Sequence, residues 1–120
     1  MTMFSVDVVE NEFQNYIKKE VDFKVAIEFE RLPIDKKSFK QIDYSQKNGI
    51  QDLLRSFATQ YSWDYIIDDY NIIGLSKGND TVTLEPGCQL EVSFTPEKTI
   101  AEIKSKLDNF NKKINPILGK

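Results

Sequence analysis

Residues 81–93, TVTLEPGCQLEVS, alternate polar and apolar side chains on both sides of a Pro-Gly pair. Strand side chains alternate between faces, so a slip of one residue would turn the whole set the wrong way. Thr81, Thr83 and Glu85 share one face of the first arm, with Val82 and Leu84 behind. Gln89, Glu91 and Ser93 share one face of the second, with Leu90, Val92 and Phe94 behind. A two-residue loop at Pro86-Gly87 would set Leu84 against Gln89 and Val82 against Glu91, polar beside apolar. A three-residue loop, Pro86-Gly87-Cys88, pairs Glu85 with Gln89 and Thr83 with Glu91 and keeps both faces consistent. Such loops often end at positive φ, where glycine is favoured and a residue such as Cys88 costs about 1–2 kcal/mol. The hairpin therefore presents Glu85, Gln89 and Glu91 on one polar face.

A second strand is expected over residues 23–32, ending at Pro33, with Val25, Ile27 and Phe29 on one side and Glu28 and Glu30 on the other. Residues i and i+2 of a strand face the same way about 7 Å apart, so each strand offers a carboxylate pair. The bland reading is the solvated face of an antiparallel sheet. Against it, glutamate is a poor strand former and four convergent acids repel one another unless a cation intervenes. The chain has no histidine, which removes Ser-His-Asp and Cys-His chemistry and His-ligated zinc. Arg31 and Arg55 are its two arginines, so arginine clamps are scarce. An all-oxygen set would select Mg²⁺ or Mn²⁺.

The remaining periodicities surround these strands. Val6, Val9, Phe13, Tyr16 and Ile17 predict a helix over 5–19, with Ser5 or Asp7 as N-cap. Ile50, Leu53, Leu54, Phe57 and Tyr61 predict an amphipathic helix within 45–61, regular from about Gly49. Residues 63–67 and 72–76 have strand composition around a turn at 68–71, and 77–80 read as a hairpin turn. Thr95-Pro96-Glu97 is a helix start with Thr95 as N-cap; Ile100, Ile103, Leu107, Phe110, Ile114 and Ile117 continue it, interrupted by Pro116. Lys98, Lys104, Lys106, Lys112 and Lys113 read as its solvated face. The fold class is α+β, an antiparallel sheet with helices on one face, in a single domain over 1–120. A net charge of −3 without a basic cluster argues against nucleic-acid and membrane partners. The lone Cys88 excludes an internal disulfide and suits a reducing cytoplasm. The first twenty residues do not read as a signal peptide.

These residues resemble the N-terminal part of a glutamate–cysteine ligase of the plant and bacterial type. The matching elements are Ile27-Glu28-Phe29-Glu30, the Leu53-Leu54 helix before Trp63, Ile73-Gly74-Leu75, and Leu84-Glu85-Pro86-Gly87-Cys88-Gln89-Leu90-Glu91-Val92-Ser93, with Pro96 and Lys98-Thr99-Ile100 following. The family usually has histidine at Phe29 and glycine at Cys88. The resemblance implies a glutamine-synthetase-like catalytic sheet. It also implies an ATP-dependent ligation in which the γ-carboxylate of L-glutamate is phosphorylated and the amine of L-cysteine displaces phosphate. It further implies that Glu28, Glu30 and Glu91, with Glu85, bind Mg²⁺ (or Mn²⁺), and that Gln89 and Ser93 lie toward substrate. Family members are several times longer, so this chain is expected to be a partial catalytic domain, inactive alone, completed by further sequence or a second polypeptide. The alternative is a non-catalytic remnant or interaction module whose acidic sheet face is merely solvated or docks a partner.

Overall fold

The computed structural model describes residues 5–119. Its strands are β1 (Glu28–Arg31), β2 (Asp64–Asp68), β3 (Asn71–Lys77), β4 (Asp80–Glu85) and β5 (Gln89–Ser93); its helices are α1 (Val6–Asn15), α2 (Ile50–Tyr61) and α3 (Ile100–Leu118). The strands form one antiparallel sheet in the order β1-β5-β4-β3-β2. This is the α+β architecture expected from the periodicities.

The β4–β5 hairpin has the expected register: Glu85 opposes Gln89, Thr83 opposes Glu91 and Thr81 opposes Ser93. Its loop is the three-residue turn Pro86–Cys88, with Gly87 at φ 75° and Cys88 at φ 59°. Positive φ at Cys88 is what the three-residue loop requires. The Gln41 side-chain amide donates to the Gly87 carbonyl, so the preceding loop braces the turn.

The apolar face of the hairpin carries the core. Leu75, Val82, Leu90 and Val92 are fully buried against Ile50, Leu54 and Phe57 of α2 and Phe110 and Ile114 of α3. Phe57 sits at the centre, its ring 5.0 Å from Tyr61, 5.5 Å from Trp63 and 5.4 Å from Phe110. A side chain of that size contributes roughly 2–3 kcal/mol by leaving water. Trp63 is thus a packing residue, set against the core. In β3, Ile73 is an extra residue, because Ile66 pairs with Gly74 and Ile67 with Ile72. That bulge returns Ile72 to the core side, where it is buried. The β2–β3 turn places Asp69 at φ 42° and Tyr70 at φ 70°, the primed geometry that matches strand twist.

Four expectations are corrected. The strand over 23–32 shortens to Glu28–Arg31, because the ladder breaks beyond Ser93. Pro96 has no N–H to give, and pairing resumes one register step out, as an isolated Val25–Glu97 bridge. The last helix starts at Ile100 rather than after Thr95. Thr99 and Glu102 form a reciprocal capping box, whereas Thr95 donates its N–H and hydroxyl to the Asp80 carboxylate at 2.7 and 2.8 Å. Pro116 does not end α3, which continues to Leu118. The first helix stops at Asn15, leaving Tyr16 and Ile17 outside, and has no buried residue, so among the described helices α2 and α3 cover the apolar face. Ser5 is its N-cap, accepting from the Val8 N–H.

Lys106 also departs from the solvated face expected of it. Its ammonium lies 2.6 Å from Glu97 and 3.6 Å from Asp80 and donates to the Thr95 carbonyl at 3.2 Å. This cluster ties α3 to the turn that leaves β5.

Candidate functional site

The polar face of the sheet follows from the register. With β1 beside β5, Glu28 opposes Ser93 and Glu30 opposes Glu91. One row therefore reads Glu28, Ser93, Thr81, Ser76, Asp64 across the sheet, and the next reads Glu30, Glu91, Thr83, Gly74, Ile66. Directly opposed strand residues have Cβ atoms about 4.5–5.5 Å apart, and diagonal neighbours are still within reach of long side chains. Glu30 and Glu91 are thus a cross-strand carboxylate pair. Glu28 lies diagonally to Glu91 on β1, and Glu85, opposite Gln89, lies diagonally to it on β4. All four glutamates singled out from the sequence share this face.

Polar partners around them are few. The Ser93 hydroxyl donates to Glu91 Oε1 at 3.2 Å, which orients that carboxylate. The Gln89 amide turns to its own loop and donates to the Pro86 carbonyl at 3.4 Å. Among the described residues none of the four glutamates forms an ion pair. Glu28 and Glu30 are exposed, while Glu85 and Glu91 are half-buried. The donors are oxygen only, which suits a hard divalent cation. Convergence is incomplete: among the described residues no three acidic side chains form a group able to hold a metal ion. The face offers a carboxylate pair with two further acids one step away, short of a full coordination shell.

Other candidate features lie elsewhere. Arg31 shares the opposite side of β1 with Phe29, its guanidinium 5.3 Å from that ring. It donates to Asn115 Oδ1 at 3.3 Å and to Asn111 Oδ1, and burial lowers its pKa from the ordinary value. It therefore anchors α3 and faces away from the glutamates. Two concavities, of about 430 and 460 Å³, open near the loop over 34–37 and the end of α3, and neither includes a residue of the acidic rows. Lys77-Gly78 is a hairpin turn, with the Lys77 ammonium on the Tyr61 carbonyl at 2.8 Å.

Gly74, within the Ile73-Gly74-Leu75 element, also shapes the face, opposite Thr83. A Cβ there would stand 2.5 Å from the Val82 carbonyl oxygen and 3.3 Å from Thr83 Cα. It keeps the sheet open beside Thr83, and a glycine inside a strand pattern is the signal for such a close approach. Asp64 and Ser76 extend the upper row; β2 and β3 pair only through the bulged register, which their sequences do not announce.

Known proteins of similar sequence bear out the resemblance to one segment of an enzyme family. Over 94 residues, 75% of this chain, it is 33% identical to glutamate–cysteine ligase A, chloroplastic, of Oryza sativa subsp. japonica. It is 34% identical over 89 residues to glutamate–cysteine ligase, chloroplastic, of Medicago truncatula, and 30% identical over 89 residues to that of Arabidopsis thaliana. The chain matches only 18%, 17% and 16% of the lengths of these three relatives. No family model matches. Across the matched segment the chain is a relative of the plant glutamate–cysteine ligases. These relatives are named as chloroplastic, which differs from the cytoplasm expected from the lone thiol. Among the described residues no helix is long and apolar enough to cross a membrane.

Proposed function

We propose that this chain carries the metal-facing part of the catalytic sheet of a glutamate–cysteine ligase. Glu28, Glu30 and Glu91, with Glu85 beside them, are the ligands in this reading, and Ser93 and Gln89 lie toward substrate. The observation that supports it most is the opposition of Glu30 and Glu91 across β1 and β5, with Glu28 one step away. Two carboxylates so placed repel each other, and a sheet that tolerates this without a lysine or arginine partner among the described residues suits a bound cation.

On this reading the complete enzyme joins L-glutamate to L-cysteine with ATP as co-substrate, the first step of glutathione biosynthesis, on a sheet of glutamine-synthetase type. Mg²⁺ (or Mn²⁺) held there would neutralise charge on the ATP phosphates. This chain's residues fix the geometry. The β4–β5 hairpin sets Glu85 and Glu91 on one face, Ser93 orients the Glu91 carboxylate, and the core beneath keeps both strands rigid. The chain spans less than a fifth of the ligases it matches. The nucleotide and amino-acid contacts of the complete enzyme therefore come from further sequence or a second polypeptide, and residues 1–120 act as one partial catalytic domain without turnover of their own. Its single thiol suits any reducing compartment; the relatives are named as chloroplastic, and cell fractionation separates that location from the cytoplasm.

Glu28→Ala and Glu91→Ala, introduced into a completed enzyme, should nearly abolish ATP-dependent γ-glutamylcysteine formation. Wild-type turnover in either variant would sink the metal assignment. The competing reading is a non-catalytic module with a solvated acidic face, and the incomplete convergence of the acids favours it. Under that reading Glu91→Gln would leave Mn²⁺ affinity unchanged.

A further inference from the structure

The concavity of about 460 Å³ between the edge strand β1 and the end of α3 has a one-sided composition. Phe29 and Leu90 line it from the apolar side of β1 and β5, and Ile114 and Leu118 line it from α3. Its two charged residues, Arg31 and Lys36, are both cations, and among the described residues no aspartate or glutamate lines it. The neighbouring groove of about 430 Å³ differs, for Asp35 and Asp52 stand there among the lysines. Small-molecule sites of this volume are mostly apolar, with a few polar groups that fix orientation.

Arg31 is the more informative cation. It shares a side of β1 with Phe29, away from Glu28 and Glu30, and its guanidinium is half-buried. It donates to the side-chain oxygens of Asn111 and Asn115, which are neutral amides. Among the described residues it forms no ion pair. A guanidinium offers five N–H donors in a planar fork, so two amide oxygens use a minority of them. Burial without a counter-charge works against the cation and lowers its pKa. A carboxylate on the same fork would relieve that penalty through charge-assisted hydrogen bonds. Lys36 reaches the same end of α3, since a Cβ placed on Gly119 would stand 3.9 Å from its ammonium nitrogen.

We propose that this cavity binds a small amphiphilic anion, a medium-length alkyl carboxylate. Its chain lies among Phe29, Leu90, Ile114 and Leu118, and its carboxylate sits on the Arg31 fork within reach of Lys36. The site is on the opposite face of the sheet from the four glutamates and does not depend on a cation there. Charge complementarity selects this occupant: an apolar segment of another polypeptide would fill the lining but leave the guanidinium unmatched.

Decanoate, titrated below its micellar range into the isotopically labelled whole chain and followed in the amide spectrum, tests this. Saturable shifts are expected at residues 29–34 and 114–118, with a Kd on the order of 1 mM or tighter. Octanoate and hexanoate should bind more weakly, by about threefold to fourfold for each buried methylene lost. Octylammonium, with the same body as a shorter member of the series but a cationic head, should leave these residues unshifted. Arg31→Met should weaken decanoate at least tenfold, and Lys36→Met, at an exposed position, by about two- to threefold. The unliganded spectrum shows whether Arg31→Met keeps its fold; if it does not, the chain-length and head-group series on the wild type decide. Absence of saturable shifts overturns the proposal, as does a folded Arg31→Met with undiminished affinity. An equal response to octylammonium overturns it too, and marks the face as a plain apolar contact for another polypeptide segment.

Discussion

Replacing Glu91 with glutamine should stabilise the chain in metal-free buffer. Glu91 opposes Glu30 across β5 and β1, and no cationic partner among the described residues pairs with either. Two unit charges roughly 5 Å apart repel by about 0.8 kcal/mol at the dielectric of water, and physiological salt lowers this to about 0.5 kcal/mol. Glu28 and Glu85, one step away, add a few tenths, so the expected gain is about 0.5–1 kcal/mol. For a chain of this size that raises Tm by roughly 2–5 °C. Glutamine keeps the volume of the side chain and still accepts from the Ser93 hydroxyl, so packing is unchanged. Thermal unfolding followed by circular dichroism, in EDTA at low and high salt, gives the measurement. The gain should shrink as salt rises. Adding Mg²⁺ should then raise the wild type toward the variant while leaving the variant nearly unmoved. A Tm that falls, or a gain indifferent to both salt and Mg²⁺, would refute the reasoning.

The fold makes three further predictions. Gly74→Ala drives a Cβ to 2.5 Å from the Val82 carbonyl oxygen, a clash costing about 1–3 kcal/mol that outweighs the roughly 0.5–1 kcal/mol alanine gains over glycine in a strand; the urea midpoint should drop. Thr99→Ala removes the α3 capping box and should cost about 1 kcal/mol; Glu102→Ala should cost a similar amount, with the double variant less than additive, and strict additivity in a denaturant cycle would contradict the reciprocal cap. Lys106 has its pKa raised above 10.5, first by the hydrogen bond to Glu97 and then by its charge interactions with Asp80 and Glu97. A raised folded-state pKa lends stability that is complete below the unfolded value and lost as pH climbs through the folded one; an alkaline loss of stability is therefore expected above about pH 10.5 and should be smaller in Lys106→Met.

The centre of the sheet was legible because its signal is period two and self-checking. In residues 81–93 a two-residue loop would put Glu91 against Val82, whereas a three-residue loop keeps both faces consistent and brings the positive φ at Cys88 with it. The amphipathic helix at Leu53, Leu54 and Phe57 was legible for the same reason at a period of 3.6. The edges were not. The start of β1 depends on a register shift around Pro96, more than sixty residues away in sequence. Two helix starts compete at Thr95 and Thr99, and only the second has glutamate three residues on, the spacing that makes a capping box. For the site, alternation put Glu28 with Glu30 and Glu85 with Glu91 on faces. That β1 lies beside β5, which brings the two sets together, is a matter of topology that neither strand encodes alone. How closely the carboxylate groups approach is set by rotamers of half-exposed side chains, which no spacing rule reaches.

Paramagnetic line broadening by Mn²⁺, read in the amide spectrum of the isotopically labelled chain, tests the acidic face most directly. Weak binding is expected, which broadens the amides of residues 28–30 and 91–93 first, spares α2 and α3, and is lost in Glu91→Gln. Broadening that spreads evenly over the surface acids, or that persists unchanged in that variant, would contradict it.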